Sequence, residues 1–171
     1  MNKSITFIAL FWGFMVSSSV ADNAPRFENG VLTIPRVDTP EQLGQYENAR
    51  FSLAPDGRWD LLHAEVGRHA FIDEIEIQIL ESFPVQVLVR VSGNLPTPCH
   101  QLGPIHKRSV NNRLETSVNY VLQLNRFETC IQVLEPFEIT IPLDVYGIPK
   151  GNYEVIVNDK SASFELEIDN R

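Results

Sequence analysis

The chain has 171 residues, 43% of them apolar, and a formal net charge of −8. That length fits one ordinary domain with a small appendage, and the apolar share is enough for a real core. The acidic balance argues against nucleic acid and anionic membrane surfaces as partners, because both demand clustered lysine and arginine.

The first element in chain order is a targeting segment. Lys3 supplies positive charge, residues 5–16 (ITFIALFWGFMV) form an apolar core, and Ser19, Val20 and Ala21 offer small side chains for cleavage before Asp22. The apolar run is shorter than the roughly 20 residues of a bilayer span, and no later stretch approaches that length. No cysteine stands at the cleavage point to carry a lipid anchor. A signal peptide over residues 1–21 is therefore expected, leaving a periplasmic or secreted mature chain with no membrane span. Loss of Lys3 brings its charge to about −9.

Residues 22–68 read as a β-meander appendage. RFENGVLTIPRV, QYENARFSL and RWDLLHA are three strands, the last two joined through Pro55, Asp56 and Gly57. Three strands alone bury little, so the unit is expected to pack on the larger C-terminal part of the chain, with Trp59 as its structural anchor. EVGRH, residues 65–69, reads as the hinge.

Beyond the hinge the hydrophobic period is two. Ile75, Ile77 and Ile79 alternate with polar residues, as do Val85, Val87, Val89 and Val91 with Leu88 the one exception, and the even positions from Leu114 to Leu124 form the next inner set. The same rule holds from Phe137 to Leu143, from Tyr153 to Val157 and from Phe164 to Ile168. Such alternation implies antiparallel sheets with one face in water. It places strands at 73–80, 84–92, 101–109, 113–124, 134–145, 152–158 and 162–168, with reversals at Asn111-Asn112 and Asn158-Asp159. Seven strands in about 100 residues match an immunoglobulin-like size. The expected fold is all-β: an immunoglobulin-like antiparallel β-sandwich over residues 69–171, preceded by a short N-terminal β-meander. Tyr153, entering a strand just after Gly151, resembles the structural tyrosine corner of such sandwiches.

Export bears on the two cysteines. An even pair in an oxidising compartment predicts a disulfide between Cys99 and Cys130. If successive strands reverse direction, the loops that carry them lie at one end of the sandwich. Loops 95–104 and 124–130 are then candidate partner-binding loops, offering Leu95, Pro96, Pro98, Arg126 and Phe127 for contact.

Chemical signatures are sparse. His100 and His106 would be roughly 20 Å apart along one extended strand, too far to share an ion. His63, His69 and His100 meet only if folding brings distant loops together. No Gly-x-Ser-x-Gly elbow, His-Glu-x-x-His pair or glycine-rich phosphate loop occurs. In the acidic run Asp73, Glu74, Glu76 and Glu81, Glu74 and Glu76 alternate outward from an apolar strand, where charge discourages edge-to-edge pairing. No catalytic residue, metal ligand set or cofactor is therefore expected, and the chain does not read as an enzyme.

ILESFPVQVLVRVSGNLPTPC, followed by LEPFEITIPLDVYGIPKGNYEVIVND, resembles an uncharacterised family of secreted bacterial immunoglobulin-like β-sandwich domains. FENGVLTIPRV through DGRWDLL resembles a short strand motif near the mature N-terminus of various secreted bacterial proteins. The resemblance implies fold and compartment and brings no activity with it. The function expected is a non-enzymatic secreted or periplasmic binding module, with a protein partner in the cell envelope. A copper or zinc carrier and a small peptidase inhibitor presenting Arg126 or Phe127 are the alternatives.

Overall fold

The computed structural model describes residues 24–123 and 130–171, so the expected signal peptide lies outside the described residues. These form eleven strands and no helix. Four of them make an antiparallel sheet in chain order: β1 (Arg26–Glu28), β2 (Val31–Val37), β3 (Tyr46–Leu53) and β4 (Trp59–Val66). One strand was expected over RFENGVLTIPRV, but the chain turns back at Asn29 and Gly30, whose φ angles are 52° and 77°. Asn-Gly accepts two successive left-handed residues, which a two-residue hairpin requires.

The other seven strands build the sandwich. One sheet has the order β5-β6-β9, with β5 (Phe71–Leu80), β6 (Gln86–Leu95) and β9 (Glu135–Pro142). Its partner contains β7 (His100–Val110), β8 (Arg113–Leu122), β10 (Gly151–Val157) and β11 (Lys160–Leu166), in the order β11-β10-β8-β7. Every pair is antiparallel except β8 with β10, which runs parallel. The exception follows from connectivity. Strand β9 lies between them in sequence but in the opposite sheet, so the chain has reversed twice before β10 pairs with β8.

Period-two alternation puts one apolar set between the sheets. Val87, Val89, Val91, Val118, Val155 and Val157 are at most 1% exposed and form the centre of the core. Each such side chain contributes about 1.5–3 kcal/mol relative to an exposed one. β-Branched valine suits this role because its restricted χ1 costs little further entropy in a strand. Tyr153 is buried beside them, stacked on Phe164 with 5.6 Å between ring centroids. Its hydroxyl donates to the Pro149 carbonyl at 2.7 Å, tying the strand entry to the preceding loop.

Trp59 does not hold the meander to the sandwich. It is 46% exposed and lies edge-on to Phe27, 6.0 Å away, inside its own sheet. Anchorage comes instead from residues 38–45, which in the sequence look like no more than a connection. Leu43 is 4% exposed, and Arg108 Nη1 donates to the Thr39 carbonyl at 2.9 Å. The segment expected as a hinge is tied on both sides. Gly67 N donates to the Gln45 carbonyl at 2.9 Å, and Tyr120 N donates to the Arg68 carbonyl at 2.9 Å. A Cβ at Gly67 would collide with the Gly44 carbonyl, so the two segments approach as backbones. This contact covers the outer face of β8, where Ser117 and Asn119 are buried although a wet face was expected.

Candidate functional site

The sulfurs of Cys99 and Cys130 are bonded, with 6.0 Å between the Cα atoms. The bond joins the short link between β6 and β7 to the long connection between β8 and β9. On the first of these, period-two burial continues past the strand end: Leu95, Thr97 and Cys99 are buried, while Pro96 and Pro98 are half-buried. Leu95 was expected as a contact residue. It is 5% exposed and belongs to the core cluster, so it roots the loop and is not offered to a partner. Hydrogen bonds stiffen the link, among them Cys99 N to Thr97 Oγ1 at 3.3 Å. His100 N donates to the Thr97 carbonyl at 3.0 Å, Gln123 N donates to the Cys99 carbonyl at 2.8 Å, and Thr97 Oγ1 lies 2.8 Å from His100 Nδ1.

Beyond Cys130 the chain runs outside any ladder until β9 begins at Glu135. Ile131, Val133 and Leu134 are 65%, 57% and 57% exposed, and Leu122 at the end of β8 is 44% exposed. Four large apolar side chains thus stand around the crosslinked end of a rigid sandwich. Arg126 and Phe127, expected to contribute here, lie outside the described residues. In the sequence Ile131, Val133 and Leu134 resemble the start of another half-buried strand, which hides their exposure. The available signal is position: they adjoin a cysteine that fixes the loop before regular pairing resumes.

The histidines occupy separate surroundings. His63 is exposed, with Nε2 3.4 Å from Glu65. His100 meets the Tyr120 ring edge-on at 5.0 Å between centroids. Only His69 and His106 are neighbours, at the meander–sandwich junction. Ser117 Oγ lies 3.0 Å from His69 Nδ1 and donates to Asn119 Oδ1 at 3.0 Å. His106, opposite Ser117 on the neighbouring strand, is 7% exposed. Among the described residues, no group of three or more His, Cys, Asp or Glu is placed to hold a metal ion. His69, Ser117, Glu41 and Arg113 line a cavity of about 190 Å³.

Both junction histidines resist protonation. Burial lowers the pKa of His69, opposed by the Gly44 carbonyl. Burial also lowers that of His106, helped by Arg36 and His69 and opposed by Asp38. The unfolded chain therefore binds protons that the folded chain refuses. Stability present above about pH 6.5 is lost as pH falls towards the folded values. The thermal midpoint should drop across this interval, and the double change His69→Gln with His106→Gln should flatten the drop. An unaltered pH slope in that variant would exclude the pair as its source.

The opposite end of the sandwich also exposes apolar groups, on separate turns. Phe83 and Tyr146 are each 74% exposed and Ile168 is 53% exposed. A shallow groove of about 470 Å³ runs there between the β5–β6 turn and the residues after β11. No covalent tie stiffens this end.

Fold and crosslink together define a disulfide-tied all-β protein of the β-sandwich class. Residues 89–166, from within β6 to the end of β11, match the family model of the ORF11 beta-sandwich domain. The match takes in most of the sandwich and leaves out the meander and β5. No curated protein and no solved structure matches the chain.

Proposed function

We propose that the chain is a secreted or periplasmic, non-enzymatic binding module of bacterial origin, and that its partner is a protein of the cell envelope. The observation that carries this reading is the exposure of Ile131, Val133 and Leu134 beside the Cys99–Cys130 bond. Apolar side chains on a pre-stiffened loop lose little conformational freedom on binding, so more of their burial appears as affinity. Pro96 and Pro98 restrict the neighbouring loop further. Arg126 and Phe127 supply residue types common at binding hot spots. Export is supported by the leader pattern of residues 1–21 and by the crosslink, because disulfides persist in oxidising compartments. Among the described residues no helix is long and apolar enough to cross a membrane.

The test is partner recovery. Protein carrying Ile131→Asp, Val133→Asp and Leu134→Asp, secreted and isolated with its envelope, should retain a native thermal midpoint. It should lose at least about tenfold of its captured partner, a change of roughly 1.4 kcal/mol. Equal recovery by the variant and the parent would remove this surface from the account.

A further inference from the structure

The groove at the uncrosslinked end sits where the two sheets of the sandwich meet along an open seam. Strands β5 and β11 are the facing edge strands, one from each sheet, and among the described residues no strand pairs with the outer side of either. Ile79, Leu80 and Val85 wall the groove from one sheet, Leu166 and Ile168 from the other. Ile79 and Ile168 are 48% and 53% exposed, while Leu166 is 3% exposed and belongs to the core cluster. Asn170 clasps the two walls together, because its amide holds both backbone groups of Val85 two residues after Ile168. The cavity of about 470 Å³ is thus preformed, and little ordering opposes binding there. Tyr146, on a neighbouring turn, is not one of its walls.

Charge gives the groove its second property. Glu81, Glu165 and Glu167 line it, all exposed, and no lysine, arginine or histidine does. Other carboxylates of the sandwich are answered by cations: Glu138 and Glu76 meet Arg90, Glu115 meets Arg108, and Glu154 meets Arg113. Among the described residues the three groove carboxylates have no such partner, and Arg171, a few residues on, is held by Asp169 at 2.6 Å. Carboxylates on a flat polar surface are simply solvated. Here they rim an apolar floor, so the groove favours a ligand that is apolar and positively charged at once.

We propose that the groove binds an extended segment of a partner protein in which lysine or arginine alternates with apolar residues. Period two is the reason for the alternation. Along the end of β11, Glu165 and Glu167 flank Leu166 and point to the opposite face. An extended segment laid beside them places its apolar side chains over Leu166 and Ile79, and its cationic ones beside Glu165 and Glu167. The crosslinked end has different chemistry, since Ile131, Val133 and Leu134 carry no charge. The two ends therefore take different segments.

The experiment is a fluorescence-anisotropy titration of the full protein, disulfide intact, with a labelled peptide in which lysine and valine alternate. Saturable binding is expected, at least about tenfold tighter than that of a peptide alternating lysine with serine. Glu165→Gln with Glu167→Gln should weaken it by about tenfold or more, and so should Ile168→Ser, each with a native thermal midpoint. Glu74→Gln with Glu76→Gln removes the same charge from the outer face of β5 and should leave the affinity unchanged. Four results would overturn the proposal: no saturable binding, equal affinity for the lysine–serine peptide, unchanged affinity in the groove variants, or an equal loss in the Glu74 and Glu76 variant.

Discussion

Replacing Cys99 and Cys130 together by alanine should lower stability by about 3–4 kcal/mol and the thermal midpoint by on the order of 10 °C. The bond closes a loop across a sequence separation of 31. In the chain-entropy model, releasing a loop of that size returns about 3.7 kcal/mol of conformational freedom to the unfolded state. Burial adds to the effect on one side only. Cys99 is 5% exposed, so alanine leaves a small void there, while Cys130 is half-buried and can be replaced with less loss. Against the roughly 5–15 kcal/mol that a domain of this kind possesses, the change is a large fraction. Urea titration of parent and variant in the same oxidising buffer checks it. A difference below about 1 kcal/mol would mean that the native loops are already held without the bond.

The second large effect is expected at Asn170, next to the end of the chain. Its side chain is fully buried and satisfies three backbone groups. Oδ1 accepts from Val85 N at 2.7 Å, and Nδ2 donates to the carbonyls of Val85 and Val145, each at 2.8 Å. One amide thus joins the entry of β6 to the connection between β9 and β10. Its own backbone N donates to the Ile148 carbonyl at 3.0 Å, so the chain end is fixed from both sides. Asn170→Leu keeps the volume and strands a donor and two acceptors away from water. At about 1–1.5 kcal/mol for each lost bond, the expected loss is roughly 3–4 kcal/mol. Asn170→Asp keeps the acceptor for Val85 N but turns a second oxygen towards the two carbonyls in a fully buried site, so at neutral pH it should lose at least as much. Thermal unfolding of both variants provides the check, and a leucine variant within about 1 kcal/mol of the parent would contradict the assignment.

Much of the sandwich is legible in the sequence because its strands obey a strict period. Val87, Val89 and Val91 point one way, and a strand is the conformation of that segment that buries all three while keeping Arg90 in water. Turns are readable for a similar local reason: Asn111 and Asn158 stand at φ 55° and 52°, where asparagine is tolerated. The same signal stands at Asn29-Gly30, where apolar residues on both sides make β1 and β2 look like one strand. Tertiary contacts explain the rest. Nothing local announces that residues 38–45 cover Ser117 and Asn119, or that His69 and His106 meet although 37 positions separate them. Leu95 shows the limit most plainly. Loop composition marks it as a contact residue, but alternation carried on from β6 directs it into the core.

The candidate site divides along the same line. The crosslink follows from compartment and parity, which are properties of the whole sequence. The apolar cluster beside it depends on where pairing stops, and that is a property of the fold. Ile131 and Val133 alternate like residues of a strand. They are exposed because no neighbouring strand meets them before Glu135.

The binding account is tested most directly by photo-crosslinking in the native envelope, with a photoreactive residue placed at Val133 or at Tyr146. These positions sample the crosslinked end and the opposite end of one sandwich, so expression and folding are matched between them. A discrete adduct with one envelope protein from position 133, weakened by Leu134→Asp and absent from position 146, is the predicted result. A discrete adduct from position 146 with none from 133 would move the contact surface to the opposite end of the sandwich and contradict the account.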